Sequence, residues 1–166
     1  MKLVVCALAD LAGEALRRRP AAVISLLGPG QPIPPVPFDP PRLVLRFNDV
    51  AAPRDGLIPP DQQTVARLLA FAAEAPAAAT LLLHCWMGVS RSPAAAFILA
   101  CARNPTTPEA QIAQALRQAA PSATPNPLLV RLADDHMARG GRMSAAISLI
   151  GRGCETSVGK PFEFEA

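Results

Sequence analysis

Apolar residues gather in short runs in the first half of this chain and recur at three- and four-residue spacing in the second. Residues 3–8, 22–27, 43–47 and 80–83 are runs of strand length, as expected for strands covered on both faces of a parallel sheet. Helical spacing fills the gaps. Asp10 is placed to cap a helix that runs through Ala15 and Leu16 to three arginines before Pro20. Asp61 is placed to cap another, in which Val65, Leu68, Leu69 and Ala72 share one face. A proline-rich connector over 29–41 and a second loop ending at Pro59-Pro60 separate these elements.

From residue 92 onward only helical spacing remains. Ala94, Phe97, Ile98 and Cys101 form one face, Ile112, Ala115 and Leu116 a second, and Leu129 and Leu132 a third. Thr106 or Thr107 with Pro108 opens the middle helix and Asn126-Pro127 the next. A last helix over 144–150 stops at Gly151, and the segment from Arg152 carries little pattern. Strands interleaved with helices, then helices alone, predict a three-layer α/β domain over 1–151. Its central sheet is mostly parallel, with four or five strands flanked by helices and a helical C-terminal half. Residues 152–166 are expected to be a C-terminal tail.

One segment carries candidate chemistry. The apolar run at 80–83 delivers His84 and Cys85 into the loop Trp86-Met87-Gly88-Val89-Ser90, which Arg91 and Ser92 close at the start of a helix. Gly88 permits a sharp turn, Ser90 or Ser92 is placed to cap the helix, and Pro93 suits its first turn. Amide groups at a helix N-terminus favour an anion, and the same field favours the thiolate of Cys85. Arg91 offers a planar fork that matches two oxygens of a tetrahedral oxyanion. Ser92 is placed to bring a hydroxyl near the sulfur, and His84 to fix the loop by hydrogen bonds. Trp86 and Met87 are expected to pack against a substrate or a neighbouring loop, with ordinary core packing as the alternative.

His84-Cys85, Gly88 and Arg91-Ser92 stand as in the HCxxGxxRS signature, so the chain resembles the cysteine-based protein tyrosine and dual-specificity phosphatases. The resemblance implies attack by Cys85 on a phosphoester, a phosphocysteine intermediate and its hydrolysis by water. It also implies an aspartate general acid on a loop upstream of the cysteine. Two aspartates qualify. Asp49 follows the run at 43–47 where strand gives way to loop and is preferred, because its position resembles that of the acid in small dual-specificity phosphatases. Asp55 is the alternative, although Asp55-Gly56 is also ordinary turn chemistry.

Departures from the family bear on the substrate. No lysine or arginine lies between Cys85 and Arg91, whereas relatives acting on inositol lipids usually carry basic residues there. A phosphoprotein monoester is preferred, phosphotyrosine first and dual specificity as the broader form. The chain has no tyrosine, so an aromatic wall must come from Phe or Trp. A rhodanese-like sulfurtransferase and a phosphate-recognition module without turnover are the alternatives.

Composition narrows the rest. A net charge of +3 over 166 residues does not argue for nucleic acid but suits an anionic substrate. Glu74 and Pro76 interrupt the most apolar stretch, so no membrane span is expected, and a cytoplasmic location is the default. The start of the chain superficially resembles a signal peptide, with an apolar core that is too short. Cys6, Cys85, Cys101 and Cys154 form no CxxC pair, which points to neither zinc nor a disulfide framework. Cys6 and Cys101 read as core residues and Cys154 as an exposed thiol, with a redox role toward Cys85 as the minority reading. Asp134-Asp135-His136 reads as a solvated helix face rather than a metal site, and no cofactor is implied.

Overall fold

A computed structural model describes all 166 residues. Five strands, β1 (Lys2–Ala7), β2 (Ala22–Leu27), β3 (Arg42–Arg46), β4 (Thr80–Cys85) and β5 (Phe162–Glu165), form one sheet in the order β3-β2-β4-β1-β5. The first four are mutually parallel and β5 joins the edge antiparallel to β1. The helices are α1 (Leu11–Arg18), α2 (Gln62–Ala73), α3 (Arg91–Arg103), α4 (Glu109–Ala119), α5 (Pro127–His136) and α6 (Arg142–Ile150). This is the expected three-layer α/β arrangement.

The two faces of the sheet are covered unequally. Leu81, Leu83 and Cys85 of β4 turn toward a core shared with α2 to α6, while Leu82 turns to a smaller cluster with Val4, Cys6, Val23, Leu11 and Ala15. The smaller layer consists of α1 and the proline-rich connector, whose Val36 and Phe38 pack there and whose Phe38 ring lies under Arg19. Helix α3 is buried from Arg91 to Cys101, as its alanines at 94, 95, 96 and 100 allow neighbours to approach closely.

Several local expectations are corrected. Asp10 makes no side-chain cap to α1; a 3-10 turn over Leu8–Asp10 precedes the helix instead. The arginines after it act partly through side chains, since Arg17 and Arg18 both pair with the buried Glu14. Asp61 does cap α2, in a reciprocal box with Thr64 that holds its carboxyl below the usual carboxylate range. Asp134 is not solvated. It is 1% exposed and accepts hydrogen bonds from the N–H groups of Gly141 and Ser144, fixing the start of α6, while Asp135 and His136 remain exposed.

The largest correction concerns residues 152–166. This segment is not a tail without pattern, because Phe162 to Glu165 complete the sheet and Phe164 enters the core. Its Phe-Glu-Phe-Glu alternation is the strand signature that marks it. Glu163 pairs with Lys2 and Arg18, and the amino group of Met1 donates to the Ala166 carbonyl.

Candidate active site

Strand β4 ends at Cys85 beside Ala7 of β1, and α3 begins six residues later at Arg91. The loop between them is pressed onto the end of β1. Gly88 has φ +70°, and a Cβ there would stand 2.8 Å from the Ala7 nitrogen, so only glycine fits.

Four of the five carbonyls of this loop are held by hydrogen bonds, each with a partner from another part of the chain. Leu8 N–H donates to Trp86 O (3.2 Å), Gly159 N–H to Met87 O (2.9 Å), and Thr124 N–H to Val89 O (2.8 Å). Ser90 O accepts from both Ala94 (3.0 Å) and Asn126 (3.3 Å). The N–H groups of Trp86, Met87, Val89, Ser90, Arg91 and Ser92 donate to no protein acceptor, and Gly88 N–H donates to Cys85 Sγ (3.3 Å). Consecutive amides without acceptors, beside carbonyls that are held, have the make-up of a nest suited to an anion, and they lie at the positive end of α3.

Cys85 is 2% exposed, at the floor of a cavity of about 620 Å³. The Ser92 hydroxyl donates to its sulfur at 3.1 Å, so with the Gly88 N–H two donors meet the sulfur. Arg91 lies against the same cavity, its Nη1 donating to the Phe47 carbonyl at the end of β3 (3.2 Å). Nothing else within hydrogen-bond reach holds its Nε, so part of the guanidinium keeps its donor capacity. Below the loop, His84 Nε2 meets Ser25 Oγ at 2.8 Å on the neighbouring strand. Burial, with Arg42 and Arg91 adding to it, lowers the His84 pKa to about 4, so the ring is neutral near pH 7.

Asp49 reaches this cavity and Asp55 does not. The Asp49 carboxylate lines it, with Oδ2 3.8 Å from Arg91 Nε, whereas Asp55 sits in an exposed turn closed by Gly56. Oδ1 of Asp49 accepts two hydrogen bonds, from the Ser90 hydroxyl (2.7 Å) and from Asn126 Nδ2 (2.7 Å). Ser90 therefore tethers the aspartate rather than capping α3, which has no side-chain cap. Asn126 is 1% exposed and also donates to Val50 O while accepting from Leu129 N–H, so one amide both caps α5 and holds the aspartate loop. Asn-Pro marks it as a helix opener, but its second task has no sequence signal.

Trp86, half exposed, Met87, Val89 and Ser90 line the cavity, joined by Gln31 from the proline-rich connector and by Thr156 and Ser157 from the C-terminal segment. Cys6 and Cys101 are buried, and burial pushes the Cys101 thiol up to about 12 and that of Cys6 higher still. Cys154 is exposed, and its N–H is tied to the Pro121 carbonyl. No group of three metal-ligating side chains occurs, and no helix is long and apolar enough to cross a membrane.

By sequence, no protein-family model and no curated protein matches the chain. Its structure is similar to several solved ones. DUSP15 superposes with a TM-score of 0.66 at 16% identity, covering 89% of this chain and 90% of that one. Human DUSP28 gives 0.63 at 20% identity, covering 84% and 94%. A mouse dual specificity phosphatase complexed with zinc tungstate gives 0.57 at 19% identity, covering 87% and 86%. With its five-stranded sheet flanked by six helices and matched along most of its length, the protein has the fold of the cysteine-based dual-specificity and tyrosine phosphatases.

Proposed function

We propose that this protein is a cysteine-dependent phosphoprotein phosphatase that hydrolyses phosphotyrosine monoesters, with dual specificity as its broader form. The observation that carries this reading is the succession of unpaired amide N–H groups between Trp86 and Ser92, directly after Cys85, with Arg91 and Asp49 in the same cavity. The fold favours the same conclusion, and its mouse neighbour was crystallised with tungstate, an oxyanion of phosphate shape.

In this mechanism the phosphoryl oxygens lie on the loop amides and Arg91, and the Cys85 thiolate attacks phosphorus. The S–P bond forms as the ester O–P bond breaks, and Asp49 gives a proton to the departing oxygen. Oδ1 of Asp49 already accepts two donors, so the proton is carried on Oδ2. Asp49, now a carboxylate, then takes a proton from water as that water attacks phosphorus. The S–P bond breaks, and the Ser92 hydroxyl at 3.1 Å stabilises the thiolate that leaves. The absence of lysine and arginine between Cys85 and Arg91 favours a single monoester over a polyphosphorylated lipid headgroup.

Release of phosphate from aryl phosphate, phosphotyrosine, phosphoserine and phosphoinositide substrates tests the reading. Cys85→Ser is expected to lower turnover by about a thousand-fold or more while phosphate binding persists. Unchanged turnover in that variant would overturn the mechanism. A persulfide on Cys85 after thiosulfate would favour the sulfurtransferase instead, and anion binding without turnover by the native chain would leave a recognition module.

A further inference from the structure

The C-terminal segment from Gly153 to Gly159 is fixed at both ends and free in the middle. At its start, Gly153 N–H donates to Thr124 Oγ1 (3.1 Å) and Cys154 N–H to Pro121 O (2.9 Å). A Cβ on Gly153 would stand 2.5 Å from the Ser122 carbonyl carbon, so the segment lies flush on that loop. Arg117 secures the same junction, donating to the carbonyls of Pro121, Ala123 and Gly151. At its end, Gly159 N–H holds Met87 O, and a Cβ there would come within 2.9 Å of Gly88 O.

Between these anchors, residues 154–158 are exposed, and Thr156 and Ser157 face the cavity that holds Cys85. The Thr156 hydroxyl spends its hydrogen on Val158 O (2.7 Å), which leaves its oxygen as an acceptor. Ser157 makes no hydrogen bond within the protein and keeps both roles. Trp86 lines the same cavity and presents an apolar surface, and no charged group besides Asp49 and Arg91 lines it.

We infer that this strap is a substrate-recognition element: Thr156 accepts a main-chain N–H of a phosphotyrosine peptide and Ser157 binds its adjoining main-chain polar group, while Trp86 packs on the apolar side. The inference rests on the phosphatase reading for its substrate. A cavity of about 620 Å³ takes more than a phosphate, since sites for whole small molecules span roughly 300–1,000 Å³. Neutral hydroxyls suit main-chain amides, whose polarity is the same in every peptide. Discrimination between a peptide and a bare aryl phosphate therefore depends on the strap, because an aryl phosphate has no main-chain amide for these hydroxyls to bind.

The test compares kcat/KM for a phosphotyrosine peptide with that for 4-nitrophenyl phosphate in the native chain, in Ser157→Ala and in Thr156→Val with Ser157→Ala. The peptide-to-aryl ratio is expected to fall about three-fold in the single variant and about ten-fold in the double, the size of one and two lost hydrogen bonds. An unchanged ratio in a double variant of native Tm overturns the inference. If the double variant unfolds, Ser157→Ala alone decides by the same ratio. If the native chain turns over neither substrate, the phosphatase reading fails while the strap is still testable. In that case peptide Kd in Cys85→Ser, with and without the two strap substitutions, must weaken about ten-fold or the strap plays no part.

Discussion

The floor of the cavity and its rim differ in how many parts of the chain hold them. On the floor, Cys85, Arg91 and Ser92 are at most 6% exposed, and every anchored carbonyl of the loop between them has a partner from a different segment. At the rim, Asp49, Trp86, Thr156 and Ser157 are exposed, and no side chain among them makes more than two hydrogen bonds. A floor so constrained holds its unpaired amides in place without reorganisation, which is what the proposed stabilisation of a phosphoryl group would require. A lightly held rim can adapt to whatever group carries the phosphate of the proposed substrate. Substitutions at the floor should therefore cost turnover on every substrate, and those at the rim should depend on which substrate is offered.

The largest effect that sharpens this contrast is expected at Asp49. Asp49→Ala should slow hydrolysis of alkyl phosphates, whose leaving oxygen needs a proton, by about 10²- to 10⁴-fold, and that of 4-nitrophenyl phosphate far less. Asp55→Ala should stay within about two-fold on both, because its turn lies outside the cavity. A leaving-group dependence at Asp55 rather than Asp49 would reverse the assignment. Gly88→Ala probes the floor. A Cβ placed 2.8 Å from the Ala7 nitrogen at positive φ should cost about 2–3 kcal/mol of stability and about a hundred-fold in kcat, equally for all substrates. Urea unfolding and a leaving-group series together check it, and a loss confined to one substrate class would erase the distinction between floor and rim.

The buried imidazole under the floor gives a pH test. His84 titrates near 4 when folded and near 6.5 when unfolded, so the unfolded chain binds more protons between those values. Its contribution is complete above pH 6.5 and is lost as pH falls toward 4, by about 3 kcal/mol for a shift of this size. The lowered carboxyls of Asp61 and Glu109 lose stability in the same direction at lower pH, so the informative quantity is the difference between the native chain and His84→Gln. That difference should shrink between pH 7 and 4. A constant difference would mean that His84 is not buried as a neutral ring.

Floor and rim also differ in how legible they are in the sequence. The floor is contiguous, and apart from Ser90 its residues from His84 to Ser92 follow from strand, turn and helix-start chemistry, so its position and the anion-suited chemistry proposed for it can be read from the chain. Its supports cannot, because Leu8, Thr124, Asn126 and Gly159 act through backbone contacts that leave no periodic trace. Ser90 reads locally as a cap because hydroxyls favour that position. A carboxylate 41 residues away competes for it in the folded chain. Asp134 reads as solvated for a similar reason, since the two N–H groups that bury it belong to the start of the next helix. The strand at 162–165 has a visible alternation but only four residues of it, too short to stand out beside a proline and two glycines.

Asn126 is where floor and rim meet, and its modest expected effect is the most discriminating. Its amide oxygen caps α5 at Leu129, its N–H₂ group holds Asp49 and Val50, and its own backbone N–H holds Ser90 O. Asn126→Ala keeps only the last of these. Losing the cap should cost about 1 kcal/mol, with more from the unpaired Val50 carbonyl. Losing one of two donors to Asp49 Oδ1 should let the carboxylate wander and slow alkyl phosphates about ten-fold. Were Asn126 purely structural, turnover of alkyl and aryl phosphates would fall together in proportion to the unfolded fraction. A selective loss on poor leaving groups, measured well below the Tm of the variant, instead requires that the amide position the acid. The Ser90→Ala variant supplies the control from the floor side, because it removes the other donor to the same oxygen without touching α5. If the two variants share a leaving-group dependence while only Asn126→Ala loses stability, the positioning and capping roles of this one side chain are separated.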